Sequence, residues 1–176
     1  MGLSRPWYTA DMKTLILTGP PAAGKNTIAA AFAKQQERCA IIDVDLVRAM
    51  LAQPHLAPWE GEEGRKQHHL GVAHACLLAR SFLAHGFMVV IHDVLSNDTA
   101  AIYRRELHEA TPAVVLLLPT LEAIQHRNSL RPPRLTDAEI LMLYRWQEEL
   151  TDYDHKIDNT TLEPEVIAGQ LNHLCT

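Results

Sequence analysis

The sequence predicts a three-layer α/β fold, a five-stranded parallel sheet with helices packed on both faces. Three observations predict it. Runs such as Phe87–Ile91 and Val114–Leu118 are continuously apolar, as strands buried on both faces must be. Strand-like runs alternate with helical ones, the pattern of an α/β sheet. The first strand runs into a glycine-rich loop that opens a helix, the context a phosphate-binding loop requires. With 176 residues and 47% hydrophobic content, the chain can build one core without disulfide or metal staples, so a single domain over 1–176 is expected.

The elements follow in order. Thr14–Thr18 is a short strand ending in Gly-Pro-Pro, and Thr27–Lys34 is an alanine-rich helix. Ala40–Asp43 is a second strand, and Leu46–Leu51 begins a helix that Pro54 and Pro58 stop. From Glu62 to His85 the pattern is helical. Leu70, Ala73 and Leu77 form one stripe and Val72, Cys76, Ala79 and Leu83 a neighbouring one, which predicts a wide buried face. Phe87–Ile91 is the third strand, Ser96 caps a helix to about Glu109, and Val114–Leu118 is the fourth strand. Thr120–Leu130 is a helix. Thr136 and Glu139 then form a capping box, with Leu135 and Ile140 at the staple positions. A short strand at His155–Ile157 precedes a helix with Pro164 in its first turn. The order is βαβαβαβαβα with an additional helix in two connections.

Charge and composition exclude several function classes. A formal net charge of −5 and a pI near 6.0 disfavour a nucleic-acid partner, which calls for clustered Lys and Arg. No run approaches the roughly 20 apolar residues that span a bilayer, and Met1–Met12 lacks a secretory h-region. Pro6 stands where myristoylation wants Ser or Thr. Residues 1–12 read as a loose arm, with Met12 an alternative start. Cys39, Cys76 and Cys175 are odd in number, far apart and mostly in apolar surroundings, so reduced, buried thiols in a cytoplasmic protein are expected. His68, His69 and His74 have neither an HExxH pattern nor cysteine partners, which argues against zinc.

The chemistry concentrates in Gly19-Pro-Pro-Ala22-Ala23-Gly24-Lys25-Asn26-Thr27. This fits G-x-x-x-x-G-K. Gly19 and Gly24 let the backbone turn and bring N–H groups to phosphate oxygens, the helix points its positive end at them, and Lys25 adds a mobile cation. Asn26 replaces the usual Ser or Thr, and Thr27 carries the nearby hydroxyl.

Carboxylates follow the second and third strands. Asp43 and Asp45, alternate residues on an extended segment, would face one way, into a crevice; the alternative is that one of them caps the helix near Leu46. Met88–Asp93 has the shape of a strand delivering a carboxylate to a metal, although Asp93 could equally contact substrate or bond loop N–H groups; His92 is read as structural. Arg48 could pair with an anionic acceptor, or with Asp45 and the helix end. Arg127, Arg131 and Arg134 surround a Pro-Pro segment, where mobile arginines could neutralise a transferring phosphoryl group.

The run Gly-Pro-Pro-x-Ala-Gly-Lys-x-Thr resembles the phosphate loop of adenylate-kinase-like enzymes. The order of Asp43-Val-Asp45, Asp93, the arginine segment and Asp158-Asn159-Thr160 is similar to chloramphenicol phosphotransferase-like, gluconate-kinase-like and shikimate-kinase-like proteins. The resemblance implies strand order 2-3-1-4-5 and transfer of the γ-phosphoryl of ATP, with Mg²⁺, to a hydroxyl of a small-molecule acceptor, by a monomer or homodimer. It implies nucleotide contacts from Gly19, Ala22, Ala23, Gly24, Lys25, Asn26, Thr27 and Arg127, the last flanking adenine. Thr27 and Asp93 would hold the metal, and Asp45 would be the base. Asp43, Asp45, Arg48 and Asp93 would contact substrate, beside an acceptor region at 46–85 that includes Arg48, Trp59 and Arg65, and Arg131 and Arg134 would reach phosphates from a lid at 127–135. A nucleoside-monophosphate acceptor is disfavoured for want of a second arginine set. The competing expectations are an ATPase or nucleotide switch without an acceptor, and a toxin or nucleic-acid-end kinase.

Overall fold

A computed structural model describes residues 14–130, 132 and 135–174. The expectations for the arm at 1–12, for Arg131 and Arg134 and for Cys175 lie outside the described residues.

Five parallel strands form one sheet: β1 (Thr14–Thr18), β2 (Cys39–Asp43), β3 (Met88–His92), β4 (Ala113–Leu117) and β5 (His155–Ile157). Their spatial order is β2-β3-β1-β4-β5, the order the resemblance implied. In β1 the side chains alternate between faces, as the pleat demands. Ile16 joins the core formed with Val72, Cys76, Ala100 and Tyr103. Leu15 and Leu17 join the opposite core with Phe32, Ile124 and Ile167. This is why residues 15–17, 88–91 and 113–117 are apolar without interruption: each face has its own helix layer.

The helices are α1 (Lys25–Ala33), α2 (Val44–Arg48), α3 (Gly61–Ala84), α4 (Asn97–Glu106), α5 (Leu121–Ser129), α6 (Asp137–Glu148) and α7 (Pro164–Leu174), with a 3-10 turn at His108–Ala110. The expected capping box is present: the Thr136 hydroxyl accepts from Glu139 N, and Glu139 Oε2 accepts from Thr136 N. Ser96 caps α4 with Thr99 as its reciprocal partner.

Three expectations need correction. α2 begins at Val44 rather than Leu46, because the Asp43 carboxylate accepts from the N–H groups of Asp45 and Leu46 and so pulls the helix start back. Asp45 is therefore helical, not an alternate residue of a strand. On α3 the stripe of Val72, Cys76, Ala79 and Leu83 is buried, but Leu70 and Leu77 are exposed, as is Ala73. The sheet covers one side of this helix only, so the buried face is narrower than the apolar pattern suggested. Of the thiols expected to be buried, Cys76 is buried and Cys39, at the start of the edge strand β2, is half-exposed.

Among the described residues no helix is long and apolar enough to cross a membrane.

Candidate active site

The phosphate loop is built by backbone geometry. Gly19 has φ +147° and Gly24 φ +95°, a region L side chains avoid. A Cβ on Gly19 would also collide with the Leu117 carbonyl oxygen. Ala22 adopts φ 65° despite its side chain, a strained position of the kind that gathers at ligand sites. Gly24, left-handed, supplies no side-chain cap to α1, so the first N–H groups of that helix face the loop, suited to an anion. α1 starts at Lys25, two residues before the expected Thr27, which puts the lysine in the first helical turn. Its Nζ donates to Gly19 O at 2.7 Å and Pro20 O at 3.1 Å.

A cleft of about 770 Å³ opens over this loop at the carboxyl ends of the strands, where open α/β sheets bind ligands. Gly24, Lys25, Asn26 and Thr27 line one wall, and Asp43, Asp45, His92 and Asp93 another. Arg127 and Asn159 lie with residues 160–164 at the remaining end.

The two carboxylates after β2 have different surroundings. The Asp43 side chain is 20% exposed. Besides capping α2, its Oδ2 accepts from Asn26 Nδ2 at 3.3 Å, and its Oδ1 lies 3.9 Å from His92 Nδ1. The Asp45 side chain is 80% exposed, with Oδ1 3.5 Å from Arg48 Nη1. Arg48 itself is buried, donates from Nη2 to Leu56 O at 2.5 Å and does not line the cleft. Of the two expected pairings, the one present is that with Asp45, and the second partner is the Leu56 carbonyl.

Asp93 is the most enclosed of the carboxylates. His68 Nε2 lies 3.1 Å from Oδ1, the Tyr103 hydroxyl donates to Oδ2 at 3.3 Å, and Val94 N donates to Oδ1 at 2.7 Å. Burial would raise the Asp93 carboxyl, but His68, the Val94 N–H and Lys25 outweigh it and hold the group below the usual carboxylate range. Burial pushes the neighbouring Tyr103 phenol up, and the Asp93 charge adds to it. His92 is pulled down by burial and by Lys25, against the Asp43 charge that favours protonation.

Arg127 Nη2 donates to Asn159 O at 2.9 Å and Thr160 O at 3.0 Å. Asn159 Nδ2 in turn donates to Ala23 O at 2.7 Å, tying this end to the phosphate loop. Arg65 and Trp59 are not among the cleft-lining residues.

Sequence reasoning missed His68, Tyr103 and the cleft position of His92. The strand pairing Asp43↔His92 brings that imidazole beside the carboxylate, and no local pattern announces a pairing between strands 49 residues apart. The His68, His69 and His74 spacing gives no sign of the contact with Asp93.

No family model matches the chain, and no curated protein matches it by sequence. Solved structures do match. Shikimate kinase from Bacteroides thetaiotaomicron superposes with TM-score 0.67 at 19% identity, covering 92% of this chain and 97% of that one. The APS kinase of Mycobacterium tuberculosis, solved with AMPPNP and APS, gives 0.65 at 16% identity over 92% and 96%. A sugar kinase from Janibacter sp. gives 0.65 at 19% over 92% and 93%. The chain has the P-loop kinase fold. Within the P-loop kinase fold, the glycine-lysine loop after β1 and the carboxylates after β2 and β3 all border one cleft.

Proposed function

We propose that this protein is a phosphotransferase that moves the γ-phosphoryl group of ATP to a hydroxyl of a small-molecule acceptor. The observation that carries the reading is that the Gly24-Lys25 loop and the carboxylates Asp43 and Asp45 face one cleft. The positive-φ glycines, the first N–H groups of α1 and Lys25 suit a polyphosphate. Arg127 and residues 160–164 would border the base.

The donor set also suits Mg²⁺. Among the described residues there is no all-protein cage, and Mg²⁺ characteristically relies on one or two carboxylates, waters and substrate phosphates. Thr27 lines the cleft and its hydroxyl would be a further ligand. The Asp93 side chain is 4% exposed with both oxygens engaged by His68, Tyr103 and Val94, whereas that of Asp43 is 20% exposed with Oδ2 on Asn26 beside the loop, so we assign the metal-side carboxylate to Asp43. Bound there, the ion would supply charge neutralisation on the β- and γ-phosphates.

Asp45, exposed and beside Arg48, serves as the base. It orients the acceptor hydroxyl and takes its proton as the new O–P bond forms and the bond from Pγ to the ADP oxygen breaks. Arg131 and Arg134 would neutralise the equatorial oxygens from the lid.

Calorimetric titration of ATP with Mg²⁺ into the wild type and Lys25→Ala, followed by product detection by mass, tests the reading. Binding that is lost in Lys25→Ala, together with a product heavier than its alcohol by one phosphoryl group, is the expected result. Tight ATP binding without product from a broad set of alcohols, sugars and nucleosides would overturn it.

A further inference from the structure

His92 ends β3 between the two strands that build the site. On one side it pairs with Leu17, just ahead of the phosphate loop, and on the other with Asp43. Val90 belongs to the core that contains Ile28 and Phe32 of α1, while Ile91 belongs to the core on the opposite face. Strand alternation therefore puts His92 on the α1 side of the sheet, beside the helix N-terminus that opens from the loop. Its side chain is 5% exposed, and it lines the cleft. Among the described residues no protein group hydrogen-bonds either ring nitrogen: Asp43 Oδ1, the carboxylate oxygen beside the ring, stands 3.9 Å from Nδ1, beyond hydrogen-bond reach. A polar group buried this deeply ordinarily has a partner, and the space this one borders is the cleft.

We infer that His92 touches the transferred group itself, donating a hydrogen bond from its Nε2–H to an oxygen of the γ-phosphoryl group. The inference deepens the phosphotransfer reading and rests on it. Nδ1 is the nitrogen on the Asp43 side, and 3.9 Å is too long to fix the proton there, so the tautomer with Nε2–H is open to a ligand. Phosphates held by Lys25 and the first N–H groups of α1 lie on the side of the sheet that His92 faces. The γ-phosphoryl group passes from that loop toward the carboxylates after β2, and His92 sits between the strands that lead to each. A donor so placed adds to the neutralisation of charge on the equatorial oxygens. The β-phosphate, enclosed by the loop amides and Lys25, gains nothing from it, so the contact separates ATP from ADP.

The full chain and two variants, His92→Gln and His92→Asn, are titrated calorimetrically with ADP and with a non-hydrolysable ATP analogue, each with Mg²⁺. Gln carries an N–H to the place of Nε2, whereas Asn stops at the place of Nδ1. His92→Asn is expected to weaken binding of the analogue by about tenfold or more and that of ADP by less than about threefold. His92→Gln is expected to stay within about threefold of the wild type for both. A purely structural histidine would lower both nucleotides together and would not separate the two amides. In NMR spectra of the histidine-labelled wild type, the His92 ring signal is expected to shift with the analogue and not with ADP. Unchanged analogue affinity in His92→Asn, a parallel loss for ADP, a loss in His92→Gln as large as in His92→Asn, or an equal ring response to both nucleotides overturns the inference and leaves phosphotransfer standing. Failure of the analogue to bind the wild type removes the phosphotransfer reading, and the inference with it.

Discussion

His68 Nε2 stands 3.1 Å from Asp93 Oδ1 with both side chains buried, the imidazole 3% and the carboxylate 4% exposed. This contact pins the middle of α3 to the residue that follows β3. Removing the imidazole leaves the buried Asp93 carboxylate with only the Val94 N–H and the Tyr103 hydroxyl as partners. His68→Ala is expected to cost about 1–3 kcal/mol of stability, read as a lower urea midpoint with an unchanged slope.

A second buried network anchors α6. Thr18 Oγ1 donates to Gln147 Oε1 at 2.9 Å, Gln147 Nε2 donates to Leu95 O at 2.7 Å, and Leu95 N donates to Thr18 Oγ1 at 3.0 Å. Every polar partner is satisfied within the ring, so Gln147→Leu leaves the Thr18 hydroxyl and the Leu95 carbonyl wanting. A loss of about 2 kcal/mol is expected from denaturant unfolding, with ATP affinity changed less than about twofold.

Asn26→Ala removes the amide that steadies Asp43 while the backbone of the loop stays in place. Under the phosphotransfer reading, kcat should fall by about tenfold or more with a smaller change in the KM for ATP. Loss confined to KM, with kcat intact, would mean that Asn26 acts on nucleotide binding alone.

Acid should loosen the β4–β5 edge. Asp154 Oδ2 accepts from Arg104 Nη1 at 2.9 Å and Val114 N at 2.7 Å. Burial opposes ionisation, but these partners hold the carboxyl below its ordinary value. A folded-state pKa that is depressed adds stability above the unfolded pKa, and that stability is lost as pH falls through the folded value. Melting temperature against pH should therefore fall less steeply on the acid side in Asp154→Asn than in the wild type.

Burial pushes the Cys76 thiol up to about 12, leaving almost no thiolate at neutral pH. Iodoacetamide at pH 8 should label half-exposed Cys39 well before Cys76, whose labelling should follow global unfolding. Peptide mapping separates the two.

How much was legible in the sequence depended on the range of each interaction. The strand order came from the resemblance, and element identities came from local signals: continuous apolar strands, the Thr136–Glu139 capping box, Pro164 at the start of α7. Asp43 illustrates the limit. Its spacing to Asp45 reads equally as two strand carboxylates or as a helix cap, and only the backbone geometry selects the cap. The exposed stripe of Leu70 and Leu77 has the same origin, because periodicity gives the apolar positions of a helix without saying how wide a face the sheet covers. His68 and Tyr103 meet Asp93 from 25 and 10 residues away, through a tertiary contact that leaves no trace in either local pattern.

The bonds that close the Arg127 end of the cleft run to main-chain oxygens: Arg127 to those of Asn159 and Thr160, and Asn159 to that of Ala23. A carbonyl is present whatever side chain its residue carries, so positions 23 and 160 are free to drift as acceptors while the donors at 127 and 159 are not. A frame fastened in this way constrains the two donors and leaves the side chains at its acceptor positions unconstrained by the bond itself.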